Sequence, residues 1–427
     1  MFTDVKTTRL PNGMRVVTSA IGHVQSVAMG IWIGVGSRHE TRAMGGASHF
    51  LEHLLFKGTP KRSALEISQA VEGRGGYLNA FTQEESTCYY ARAGFDRLNV
   101  SFDVLADMVL NAKCSREDVE KERPVILEEM LMYRDQPHQF VQELLQEAVW
   151  PGHPLGRPII GCEQSIGGMT AADIRAYKAG SYVPPAMVAA FAGNLGHQQC
   201  VDLVAGYFAG MERGRIPKSS RFGAARPQVR GKGVGREIEQ THLALGIRLF
   251  GRMDPQRHVL RVLNTVLGEN MSSRLFQTVR EKHGLAYSIQ SGVQLHADTG
   301  VLQISAGLDR KRSAKALDLI LKEMDRFRTR PVGSGELRRA KDYLVGQLRL
   351  GLESMSHQMM WLGDNILSYG RFVDPEETIA ATQRVTADDV RALATAVFDS
   401  RRMSVAMVTP VKDPMTAEAA ADIVSRF

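Results

Sequence analysis

Two histidines and a glutamate stand at a spacing that serves metal-assisted hydrolysis. His49-Phe50-Leu51-Glu52-His53 sets two imidazoles four residues apart. On a helix they project from one face, one turn apart, the separation at which they share a Zn²⁺ ion. Glu52 lies beside the second histidine, where a carboxylate that is not itself a ligand takes the proton of the water that the metal activates. A catalytic zinc has three protein ligands and an open position, so one zinc per chain needs a third ligand from elsewhere. The stretch Ser115 to Asp135 reads as a capped helix, bent near Pro124, and carries Glu122, Glu128 and Glu129. Glu122 and Glu129 are seven apart and share a face, which could present one acid to the metal and the other to its surroundings while Glu128 points elsewhere.

The elements that must position these groups repeat along the chain. Ala93-Gly94-Phe95-Asp96-Arg97 is matched by Ala306-Gly307-Leu308-Asp309-Arg310, and Thr170 to Ala176 by Thr386 to Ala392, each copy of the latter followed by a strand-like run. Thr170 and Thr386 are N-caps, with Asp173 and Asp389 completing capping boxes. Val27 to Val35 and Cys88 to Ala93 read as strands, whereas Leu98 to Leu110 and Ala314 to Phe327 carry helical periodicity. The expectation is an α+β protein of two homologous domains related by internal duplication, each a mainly antiparallel sheet with helices packed on it. The domains are 1–212, with the metal, and 237–427, without it. In the second half Val259, Val262 and Leu263 stand opposite His49, Glu52 and His53, and Ala340 and Gln347 stand opposite Glu122 and Glu129. Residues kept for the fold would persist in both copies; a set present in one copy alone fits a metal site.

Between the halves lies 213–236, rich in Gly and Pro, with Arg213, Arg215, Lys218, Arg221, Arg226, Arg230, Lys232 and Arg236 and no acid. The whole chain has 427 residues, 53 basic and 46 acidic, so without this segment its charge is balanced. The segment reads as a solvated linker, and no nucleic-acid partner is expected because aromatics for base stacking are not interleaved. No run is apolar for the roughly 20 residues a bilayer helix needs, and the N-terminus lacks a secretory pattern, so no membrane partner and a cytoplasmic location are expected. Four scattered cysteines suggest neither disulfides nor a thiolate zinc site.

Taken together, Leu10-Pro11-Asn12-Gly13, Gly45-Gly46 before His49 to His53, Leu78-Asn79-Ala80-Phe81-Thr82, Glu122-Arg123-Pro124 to Glu129, and Leu155-Gly156-Arg157 resemble the pitrilysin/insulinase family of zinc peptidases. The branch most resembled contains the mitochondrial processing peptidase β-subunit and its bacterial relatives, and the resemblance covers essentially the whole chain. It implies a zinc metalloendopeptidase acting on extended, unfolded or short polypeptides. It makes Glu129 the third ligand and Glu122 a supporting acid, and it gives Arg280 and Tyr287 a role in contacting substrate and transition state. It implies that Asn79, Ala80, Phe81 and Thr82 form the sheet edge that pairs with peptide, and that two copies form a homodimer. Two acids select an arginine in the processing branch; here those positions are Gln139 and Glu143, so the resemblance implies no strict presequence specificity. Two rivals are a non-catalytic core or assembly subunit with the same fold and a peptide-binding partner of a separate catalytic subunit; an intact zinc motif weighs against both.

Overall fold

The computed structural model describes every residue except Met1, Thr3, 224–229, Lys412 and Pro414. Among the described residues the first sheet is built from β1 (Val5–Arg9), β2 (Arg15–Ala20), β3 (Ser26–Ile33), β4 (Tyr77–Thr82), β5 (Thr87–Gly94) and β6 (Met187–Gly193). Their order is β1-β2-β6-β3-β5-β4, with β2 and β6 parallel and every other pair antiparallel. The second sheet comprises β7 (Arg230–Arg236), β8 (Gln240–Leu249), β9 (Ala286–Leu295), β10 (Gly300–Asp309) and β11 (Met403–Pro410), ordered β7-β11-β8-β10-β9, again with one parallel pair, β7 and β11. Without β1 the two orders coincide strand for strand, so the α+β class and the duplication expected from sequence hold.

Local signals act alike in both copies. Thr170 Oγ1 accepts from Asp173 N at 3.2 Å while Asp173 Oδ2 accepts from Thr170 N at 2.9 Å. Thr386 and Asp389 reproduce the box at 3.1 and 2.8 Å. The turn after β4 is closed by Gln83 N to Ser86 O, and the turn after β9 by His296 N to Thr299 O, both at 2.8 Å. The acidic stretch forms a single helix, Arg116–Arg134, that continues through Pro124.

The compact units are not the two halves of the sequence. The first gathers Met1–Met130, Arg157–Ser220 and Arg349–Asp374; the second gathers Leu131–Gly156, Arg221–Leu348 and Pro375–Phe427. Each therefore borrows a helix from the other half. In the first unit, helix Met355–Tyr369 covers one face of the sheet, where Met359, Leu362 and Ile366 join Val17, Ala28, Trp32, Val188 and Ala190 in one buried cluster. The approach is close enough that a Cβ on Gly363 would sit 2.0 Å from Trp32 Nε1. In the second unit, helix Pro137–Val149 lies on β11 and β8, with Val141, Leu144, Leu145 and Val149 against Ala244, Ala406 and Val408. The opposite face of that sheet, with Leu243, Leu245, Ile247, Val405 and Met407, meets helices Ser313–Thr329 and Ala387–Val397. Alternate residues of β8 thus face different layers, as a strand's period of two requires.

The basic stretch also departs from the linker expected over its whole length. Its last seven residues form β7, an edge strand paired only with β11, where charge is tolerated because one side faces water. Arg226 and the rest of 224–229 lie outside the described residues. No helix among the described residues is long and apolar enough to cross a membrane.

Candidate metal centre and active site

The motif lies on helix Ala47–Leu55, whose Phe50, Leu51, Leu54 and Leu55 are fully buried while His49, Glu52 and His53 share the more open side. That division follows from the 3.6-residue period, which puts positions i, i+3 and i+4 together. The helix begins at Gly46, which adopts φ +91°, a conformation that glycine enters without strain. The N-terminal donors are satisfied from a distance. Glu40 Oε2 accepts from Gly46 N at 2.8 Å and Oε1 from Ser48 N at 2.7 Å. Burial pushes the Glu40 carboxyl up to about 7, against the pull of those two N–H groups and of Arg157. Arg157 Nη2 in turn donates to Glu40 O at 2.5 Å.

Helix Arg116–Arg134 brings its two acids to the histidines. Glu129 Oε2 lies 3.4 Å from His53 Nε2 and 3.7 Å from His49 Nε2. One ligand atom from each of His49, His53 and Glu129 falls within 4.8 Å of the others. Donors bound at about 2.0 Å around a tetrahedral zinc are separated by roughly 3.3 Å, so this set fits the ion. Glu122 Oε1 meets His53 Nδ1 at 2.9 Å and its Oε2 meets Lys57 Nζ at 2.6 Å. A carboxylate on the far nitrogen fixes the ring and turns Nε2 toward the metal position. His49 Nδ1 is buried without a hydrogen-bond partner among the described residues. Glu128 is exposed.

The electrostatics separate the two rings. Burial, aided by the charge of His53, pushes His49 down to about 4, with Glu129 opposing. Burial also lowers His53, but its hydrogen bonds to Glu129 and Glu122 outweigh that and the net shift is upward. Glu52 is raised, chiefly by burial, while the Thr82 hydroxyl and His53 pull it down and Glu129 adds to the rise. Thr82 Oγ1 donates to Glu52 Oε2 at 2.5 Å.

Of the remaining expected residues, Asn79, Ala80, Phe81 and Thr82 lie in β4, the edge of the first sheet. Asn79 Nδ2 donates to Tyr77 Oη at 2.6 Å. Arg280 and Tyr287 belong to the second unit and stand together, the Arg280 Cζ 6.0 Å from the Tyr287 ring centre, with Tyr287 77% exposed. Arg280 sits in a widened π-helical turn, Phe276–Lys282. Gln139 and Glu143 also fall in the second unit. Burial raises the Glu143 carboxyl, opposed by Arg134. Sequence reasoning did not single out Glu40 or Lys57. A glutamate six residues before the helix N-cap carries no spacing rule, and Lys57 stands two residues past the end of the motif helix, where helical spacing no longer says which way a side chain points.

Residues 15–163 match the family model described as insulinase, peptidase family M16, and residues 168–344 match the one described as the peptidase M16 inactive domain. An uncharacterized zinc protease of Mycobacterium tuberculosis is 43% identical over 94% of this chain and 92% of its own. One from Bacillus subtilis is 37% identical over 93% of this chain and 97% of its own. The crystal structure of a protease from Helicobacter pylori superposes with a TM-score of 0.88 at 21% identity, covering 96% of this chain and 100% of that one.

Proposed function

Because the chain belongs to the insulinase family, peptidase family M16, we propose that it is a zinc metalloendopeptidase that hydrolyses peptide bonds in extended, unfolded or short polypeptides. The observation that carries this reading is the convergence of His49, His53 and Glu129 on one position with Glu52 beside them and outside the ligand set. Zinc at that position supplies Lewis acidity toward a substrate carbonyl and acidifies water. Glu52 takes the proton of the attacking water at Oε1, since Oε2 is engaged by Thr82, and returns it to the leaving amine. Glu122 holds His53 in the tautomer with Nε2 unprotonated. An extended peptide added beside β4 would be aligned by backbone pairing. The second unit offers Arg280 and Tyr287 as carbonyl and oxyanion donors. In this reading two copies pair as a homodimer, and processing of precursor polypeptides is the fitting role. No such ligand set occurs among the described residues of the second unit, much of which falls within 168–344, the stretch matched by the model described as the peptidase M16 inactive domain. The non-catalytic assembly reading draws no support from the first unit, where the set is intact.

The test is zinc content per chain together with cleavage of a quenched library of unstructured peptides. One zinc per chain is expected, with cleavage by wild type and a loss of about 10² to 10⁴ in Glu52→Gln at unchanged metal content. Comparable cleavage by Glu52→Gln would remove Glu52 as the base; neither zinc nor cleavage would favour the assembly reading.

A further inference from the structure

Thr82 lies at the end of the edge strand, yet its hydroxyl is engaged by Glu52 and not by the edge. Its single proton is given to Glu52 Oε2 at 2.5 Å, across 30 residues of chain. Glu52 Oε1 makes no hydrogen bond among the described residues, so one oxygen is held and the other left to act. We infer that Thr82 is a positioning residue for Glu52, locking the base's rotamer to the strand beside which substrate lies; this rests on the peptidase reading above.

Two independent observations carry it. The first is that Thr82 cannot drift. Just beyond it, Gln83 O accepts from Ser37 N at 3.2 Å and Glu84 O from Arg38 N at 2.8 Å. Arg38, 1% exposed, reaches Glu85 Oε1 at 2.6 Å. The turn is therefore clamped, and the hydroxyl is a fixed donor aimed at the motif helix.

The second is an internal control supplied by the duplication. Thr82 is the last residue of β4, paired with Thr87 across a four-residue turn; its counterpart is Leu295, the last residue of β9, paired with Gly300 across a turn of the same length. The counterpart of Glu52 is Val262. Val262 is fully buried in the apolar cluster of the second unit, and Leu295 packs against that same cluster. Hydroxyl and carboxylate have been replaced together by two apolar side chains. A threonine kept only to end a strand or to offer backbone to a peptide has no reason to change with the base.

The experiment compares wild type, Thr82→Val and Thr82→Ser as full chains loaded with zinc. Valine keeps the shape and removes the donor; serine keeps the donor. The expected result for Thr82→Val is kcat lower by about 10- to 100-fold, KM within about twofold and zinc content unchanged, with Thr82→Ser near wild type. In crystal structures Glu52 should rotate away in Thr82→Val and return in Thr82→Ser. Full kcat in Thr82→Val, a loss confined to KM, or failure of serine to rescue would overturn the proposal. Should wild type cleave no peptide, the peptidase reading fails by itself, and the Glu52 rotamer still decides: an unmoved carboxylate in Thr82→Val overturns the positioning role.

Discussion

His53 is gripped on one nitrogen by Glu122 and faces Glu129 with the other, whereas His49 depends on packing and on Glu129 alone. The shared face of His49 and His53 and that of Glu122 and Glu129 were legible because helical spacing is a local rule. The support from Glu40 was not, because a remote carboxylate capping a helix is a tertiary event. Its neighbour yields a prediction. Burial, with the Arg38 charge adding, pushes His39 from 6.5 down to about 4, so its contribution to stability is complete above pH 6.5 and is lost as pH falls toward 4. Glu40 is raised from 4.5 to about 7, so its contribution is complete below pH 4.5 and is lost as pH rises toward 7. Between pH 4.5 and 6.5 the two slopes oppose each other. Urea unfolding across this window should show wild type with little net slope from this pair. Relative to it, His39→Asn should lose up to about 1.4 kcal/mol per pH unit as pH rises, and Glu40→Gln should gain a similar amount. Parallel slopes in all three proteins would contradict the shifts.

At the scale of elements, local chemistry foretold helices, strands and caps, but not which sheet a helix covers. Helices Pro137–Val149 and Met355–Tyr369 each present an apolar stripe that suits either sheet, and nothing in spacing chooses between them. The choice follows from the long helices preceding them, Arg116–Arg134 and Ser334–Gly351, both of which run from one unit into the other. Glycine-rich composition likewise hid β7, which is held by its backbone pairing with β11 and by Lys232 on Glu147 and Arg236 over the Phe140 ring, contacts that no local pattern announces. Leu362, fully buried against the first sheet, provides the test. Leu362→Ala should cost about 2 to 5 kcal/mol. Hydrogen exchange should accelerate in β3 and β6, not in β8 and β11, although residue 362 belongs to the second half of the sequence. Acceleration confined to β8 and β11 would refute the exchange of helices.

At the scale of the molecule, each unit is made from both halves of the chain. Arg213, Arg215, Lys218 and Arg221 are exposed in a stretch without regular structure, and brief trypsin treatment should cut there. The fragments should co-elute under native conditions, because 131–156 remains in the second unit and 349–374 in the first, and should part only in denaturant; separation in native buffer would count against the topology. The borrowed helix also bears on how the protein is made. Every strand of the first sheet has left the ribosome once residue 193 emerges, but the helix that covers Trp32, Ala190 and their neighbours ends at Tyr369. At about 5 to 20 residues per second, roughly 10 to 35 seconds pass in which the nascent chain carries an uncovered apolar sheet, the interval in which a chaperone would matter most.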